Sequence, residues 1–276
     1  MKNLLKVSTI ALALCFCIVV SAKAADKYYY QIKVYHFKTA TQEDRLDNYL
    51  QKAFLPAMHK MGIKNIGVFK LVTIDTADRK LYVFVPFKNM DDLEGVDKKL
   101  LKDEQYQNDG KDYIDAPSTD PPYSRIETVL LRAFDEAPIP VPPTLTANKT
   151  DRYYELRSYE SATEKYHASK VKMFTIGGEV EIFKKINSNG VFYARVIAGS
   201  HMPNLMYLTT YNNKQDRDDH WKVFSANPEW KTLSAMPEYQ KNVSKKRTDI
   251  FTPNRLFRFL RLYEGSKHEQ RPHGGT

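Results

Sequence analysis

Hydrophobic positions along this chain alternate between two periods. Tyr28 to Phe37 is rich in β-branched and aromatic residues, a strand signature. Thr41 to Met61 then places Leu46, Leu50, Phe54, Met58 and Met61 at spacings of three and four, the stripe of a helix. Ile66 to Ile74 and Leu81 to Phe87 are two further β-rich runs parted by the turn formers Asp75 to Asp78, a hairpin signal. A helical pattern over Asp91 to Leu101 and a last strand near Ile126 to Phe134 follow. The succession then returns, with strands near Tyr153 to Tyr159, Val191 to Ala198, Leu205 to Tyr211 and Lys246 to Thr252, and helices near Thr163 to Ile186 and Gln215 to Phe224.

The order is βαββαβ twice. This is the ferredoxin-like pattern, in which both helices cover one face of a four-stranded antiparallel sheet, so the predicted class is α+β. Between the halves, Asp135 to Thr150 holds Pro138, Pro140, Pro142 and Pro143 and no periodicity, which predicts an extended linker. The halves also match at one offset: Tyr29–Tyr35 lies on Tyr153–Tyr159, 124 residues apart. Leu81–Phe87 falls on Leu205–Tyr211, Glu104–Tyr106 on Pro228–Trp230 and Ile126–Thr128 on Ile250–Thr252 at the same spacing. Four landmarks at one offset predict an internal duplication. The expected organisation is a leader over 1–24, modules over 25–134 and 151–262, a linker over 135–150 and a disordered tail over 263–276.

A sheet with helices on one side leaves its other face to water, a ligand or another sheet, and two such modules can pack sheet to sheet as an α/β barrel. Period-two alternation divides the first strand of each half into two sets. Tyr30, Ile32 and Val34, with Tyr154, Leu156 and Ser158, suit the helix side. That leaves Gln31, Lys33 and Tyr35, with Glu155, Arg157 and Tyr159, to line a shared barrel interior. A buried Arg157 cannot shed its proton and needs an acceptor: Glu155, another carboxylate, backbone carbonyls or an anionic ligand.

The chain's start changes the picture of its address. Lys2 and Lys6, an uncharged apolar run from Leu12 to Val20, and Ala22-Lys23-Ala24 have the form of a cleaved signal peptide, predicting removal after Ala24 and a periplasmic or secreted protein without a transmembrane segment. Cys15 and Cys17, the only cysteines, lie in that run, which excludes disulfides and thiolate chemistry from the mature chain. Of the net charge of +9, three lysines belong to the leader; the remaining basic residues are dispersed, without zinc-finger spacing or a phosphate loop, so nucleic acid is not an expected partner.

The second half carries more than a pattern. Its opening Tyr154-Glu155-Leu156-Arg157-Ser158-Tyr159 and its closing Arg217, Trp221, Phe224 and Asn227-Pro228-Glu229-Trp230 resemble the NIPSNAP family, over roughly 152–252. The first half looks like a diverged copy, with Gln31 for Glu155, Lys33 for Arg157 and Glu104-Gln105-Tyr106 for the Pro-Glu-Trp turn. The resemblance implies the dimeric α/β-barrel version of the ferredoxin-like fold and implies no particular reaction or cofactor.

Candidate chemistry is sparse. Trp221, Phe224 and Trp230 read first as anchors that dock a helix and its following turn on a sheet. The seven histidines include no metal-binding pair on one helix, so neither metal nor cofactor is predicted. His36 ends the first strand opposite Glu160 in the repeat, and His201 lies in a hairpin loop; either could reach a barrel mouth as an acid or base. The candidate ligand-binding residues are therefore Lys33, Tyr35, Glu155, Arg157, Tyr159 and His201, with no catalytic residue assigned. The leading expectation is non-catalytic binding of a small, partly apolar, acidic ligand in the barrel interior. The alternatives are a scaffold with a filled barrel and, by fold analogy alone, a cofactor-free or haem-dependent oxidoreductase. A homo-oligomer is compatible with this reading and not required by it.

Overall fold

The computed structural model describes residues 27–253. The expected leader and tail lie outside them. The first half runs β1 (Tyr29–Phe37), α1 (Ala40–Tyr49), a π-helical turn (Leu50–Phe54), α2 (Leu55–Lys60), β2 (Gly67–Leu71), β3 (Arg79–Phe87), α3 (Met90–Leu100), α4 (Glu104–Asp109), α5 (Lys111–Ile114) and β4 (Arg125–Ala133). The second runs β5 (Tyr153–Glu160), α6 (Glu164–Phe174), α7 (Glu179–Lys185), β6 (Gly190–Ala198), β7 (Asn204–Tyr211), α8 (Lys214–Ala226), α9 (Pro228–Ala235) and β8 (Lys245–Pro253). The helix expected over Thr163 to Ile186 is thus two helices. Gly178 turns the chain between them at φ +93, a left-handed conformation open to glycine.

The eight strands close into one antiparallel barrel in the order β1-β3-β2-β8-β5-β7-β6-β4. Each half contributes the order 4-1-3-2, and the halves join edge to edge, β2 to β8 and β4 to β6. The expected sheet-to-sheet packing is therefore a single continuous sheet wrapped on itself. Closure pairs the edge N–H and C=O groups that two separate four-stranded sheets would leave open.

Matched strands occupy matched places. Tyr29 pairs with Phe87 as Tyr153 pairs with Tyr211, keeping the 124-residue spacing. Helix caps keep it too: Asn89 accepts the Asp92 N–H as Asn213 accepts that of Asp216, and Asp103 accepts the Tyr106 N–H as Asn227 accepts that of Trp230. The last strand does not. Tyr35 pairs with Ile126 and Tyr159 with Lys246, so Ile126 corresponds to Lys246 rather than Ile250. The fourth landmark is a match of composition out of register, because the second half's final connection is shorter.

The face assignment is reversed. Tyr30, Ile32, Val34, Tyr154 and Leu156 join Phe69, Phe84, Phe192 and Leu208, from strands of both halves, in the core inside the barrel. Tyr35 packs under the helices of the first half and Tyr159 under those of the second. Alternation fixes which residues share a face and leaves open which face is which. The lumen of an eight-stranded barrel is just wide enough for side chains to fill, so the more apolar set goes there. Long amphipathic side chains lie in the helix layer, where their polar ends reach its margin.

Candidate functional site

Under the helices of the second half, Glu155 is fully buried at the centre of an ionic cluster. Arg157, next on the same face of β5, donates from Nε to Glu155 Oε1 at 2.6 Å and from Nη1 to the Tyr159 hydroxyl at 3.2 Å. Arg217 and Trp221 sit one turn apart on α8 and therefore reach the sheet together. Arg217 donates from Nε to Glu155 Oε2 at 2.7 Å and from Nη2 to Oε1 at 3.0 Å; the Trp221 indole donates to Oε2 at 2.9 Å. The Arg157 guanidinium lies 3.6 Å above the Trp221 ring, a stacked cation–π geometry. The Tyr159 and Tyr207 hydroxyls share a hydrogen bond of 2.9 Å beneath it.

Burial alone would raise the Glu155 carboxyl. The Arg217 hydrogen bonds, the Arg157 charge and the indole outweigh it, and the carboxyl lies below its ordinary value. These contacts favour the carboxylate form of Glu155, which positions two guanidinium groups. Among the described residues, Arg157 Nη2 has no protein partner.

Arg157 opens onto a cavity of about 590 Å³ between sheet and helices. Its aromatic lining comes from Tyr159, Trp221, Phe224, Trp230 and Tyr239. Its charged lining is five cations, Arg157, Lys170, Arg217, Lys241 and Lys246, against one carboxylate, Glu179. Lys170 and Glu179 form a second buried ion pair at 2.8 Å, with Lys170 Nζ also 4.7 Å from the Phe174 ring centre. Burial pushes the Glu179 carboxyl up despite Lys170. Lys241 and Lys246 have no carboxylate partner among the described residues, and Lys246 lies 5.7 Å from the Tyr159 ring centre. The cavity thus combines aromatic rings with a lining in which cationic side chains outnumber carboxylates.

Of the six candidate residues, Glu155, Arg157 and Tyr159 come together here, outside the barrel rather than in its lumen. Lys33 and Tyr35 lie in the helix layer of the other half, with Lys33 Nζ 5.7 Å from the Phe54 ring centre and Tyr35 fully buried. His201 stands at an end of the barrel, in contact with Arg247. The pairing of Arg157 with Glu155 is present, and Trp221 both anchors its helix and donates to Glu155. Sequence reasoning missed Lys170, Glu179 and Lys246. Lys170 had a signal, being a charge in a helix whose repeat counterpart, Leu46, belongs to the apolar stripe.

Residues 154–256 match the NIPSNAP family model. No curated protein matches the chain. Among solved structures, a candidate monooxygenase from Lactobacillus acidophilus is 14% identical, covering 82% of this chain and 93% of its own, at a TM-score of 0.50. Another from Fusobacterium nucleatum is 7% identical, covering 82% and 92%, at 0.51. A NIPSNAP-like domain protein from Burkholderia xenovorans is 17% identical, covering 41% and 93%, at 0.36. The two full-length likenesses extend across both halves and support the barrel fold alone. The ionic cluster of Glu155, Arg157, Arg217 and Trp221 lies inside the segment that matches the NIPSNAP family model.

Proposed function

We propose that this protein binds a small, partly aromatic carboxylate in the cavity between the sheet and helices of its second half. The observation that carries the reading is Arg157, held by Glu155, Tyr159 and the Trp221 ring, with one guanidinium edge turned to a cavity rich in cations. A guanidinium already oriented by fixed partners gives up little freedom when it receives an anion, and charge-assisted bonds are the strong ones. Trp221, Phe224 and Trp230 would cover the ligand's apolar body. In this reading the barrel lumen is mainly core, and the two halves are copies of one module of which the second alone keeps the site. The chain is exported after loss of residues 1–24, which N-terminal sequencing of the mature protein tests.

The cavity contains both tryptophans of the chain, so their emission reports occupancy. Phenylacetate should change it saturably, and neutral 2-phenylethanol should bind at least about tenfold more weakly, the effect of one lost charge-assisted contact. Arg157→Lys, which keeps charge and loses the planar fork, should weaken phenylacetate by a similar factor. Equal binding of acid and alcohol, or no saturable response to aryl and alkyl carboxylates, would sink the reading.

A further inference from the structure

A second cavity opens at the end of the barrel where β1 and β5 finish and β3, β4 and β8 begin. Its floor is apolar, formed by Ile32, Val34, Val129, Leu156 and Met206. Its wall is polar and carries two carboxylates, Glu127 and Asp249. The register brings the wall together: Val34 pairs with both Tyr82 and Glu127, and Leu156 pairs with Asp249. Neither carboxylate has a firm counter-cation. Asp249 Oδ2 accepts from the Tyr82 hydroxyl at 3.2 Å and Glu127 accepts from the Ser200 hydroxyl. Among the described residues no cation lies within ion-pair distance of Asp249, and Glu127 has only His36 Nε2 at 3.9 Å.

The nearby cations are engaged elsewhere. Lys80, His201 and Arg247 also line the cavity, and the charges of Lys80 and Arg247 act on Asp249, but Lys80 pairs with Asp78 at 3.3 Å and Arg247 with Glu160, neither acid lining the cavity. Asn204 adds a separate mark. It is 2% exposed, lines the cavity, and accepts from Ser158 at 3.0 Å through Oδ1, while its amide N–H groups have no partner among the described residues. An amide donor on a buried side chain at a cavity edge, without a protein acceptor, is a group that a ligand oxygen would satisfy.

We infer that this barrel-end cavity binds a compact ammonium compound bearing an acceptor oxygen on a short branched apolar body, a small amino alcohol in chemical class. The ammonium would sit between Asp249 and Glu127, the oxygen would accept from Asn204, and the apolar part would rest on Val34, Val129 and Leu156. The volume near 200 Å³ equals that of about seven water molecules at ~30 Å³ each, which bounds the ligand to a similar heavy-atom count. Burial raises the Asp249 carboxyl, the cost that a bound cation would offset. The site does not depend on the carboxylate site of the second half.

Calorimetric titration of the full chain with valinol tests this, using 3-methylbutan-1-ol as the match lacking the ammonium. Valinol should bind saturably and the alcohol at least about tenfold more weakly. Asp249→Asn, which keeps the shape and the Tyr82 bond, should weaken valinol about tenfold. Glu127→Gln provides the same comparison should Asp249→Asn fail to give the parent circular dichroism spectrum. Saturating phenylacetate should leave the valinol isotherm unchanged. Equal binding of amine and alcohol, parent-like valinol binding by the folded carboxamide variants, or no saturable valinol binding would overturn the inference.

Discussion

Beneath the helices of the first half, Tyr49 stacks on Tyr113 at 3.7 Å, Tyr35 packs edge-on against Tyr113 and Tyr123, and aliphatic and phenylalanine side chains fill the rest. Beneath those of the second half, two arginines, a lysine and two glutamates are held among aromatic rings beside a cavity of about 590 Å³. The first and third strands of each half and the helix caps that frame the two layers correspond at one spacing. The residues 124 positions before Lys170, Glu179, Arg217 and Trp221 are Leu46, Leu55, Leu93 and Asp97. One backbone plan thus supports a dry, packed layer and a charged, open one. The difference rests on a handful of side chains, because a buried charge is tolerated only with its partners present, and here the partners come as a set.

The largest effect expected from that difference is at Glu155. Glu155→Leu strands Arg157 and Arg217 without their acceptor and should cost about 3–5 kcal/mol in equilibrium urea unfolding. Gln31→Leu, at the matching place in the first half, should cost about 1 kcal/mol or less. Equal losses would erase the distinction between the layers. The same carboxyl sets an acid limb. Its folded value is depressed, so its contribution is complete above the unfolded carboxylate range and fades as pH falls through the folded value. Parent and Glu155→Gln should therefore differ most in stability near neutral pH and converge in acid.

At the second pair the comparison can be sharpened by copying the first half into the second. Glu179→Leu alone should destabilise by about 3–5 kcal/mol, because Lys170 remains buried and unpaired. Lys170→Leu with Glu179→Leu, which reproduces Leu46 and Leu55, should be neutral or more stable by about 1–4 kcal/mol in the same measurement. A double variant as unstable as the single one would show that the surrounding rings cannot close over leucine.

The smallest effect concerns what the halves share. Asn89→Ala and Asn213→Ala each remove the cap of the helix after the hairpin and should each cost about 1 kcal/mol. A several-fold inequality, read from thermal unfolding midpoints, would mean that the caps are equivalent in geometry and not in energy.

How far the molecule is legible beforehand can be followed along β5. The strand itself and the placing of Glu155, Arg157 and Tyr159 on one face of it follow from sequence spacing, since a strand's period of two is a local property. The helical stripes are legible for the same reason. Lys170, Glu179 and Lys246 are not, because they lie on other elements, and nothing local says which charges converge.

The sequence by itself determined the order of elements, the correspondence of β1 with β5, and the separation of each first strand into an apolar and an amphipathic set. Only the tertiary structure decided which set faces inward. Both faces of the closed sheet are covered, one by the opposite wall of the barrel and one by helices, so alternation along a strand separates the two sets without saying which faces inward. Closure gave the enclosed lumen to Tyr30, Ile32, Val34, Tyr154 and Leu156. It thereby moved Glu155, Arg157 and Tyr159 to the side where α8 delivers Arg217 and Trp221, and the site exists because those long-range neighbours meet there.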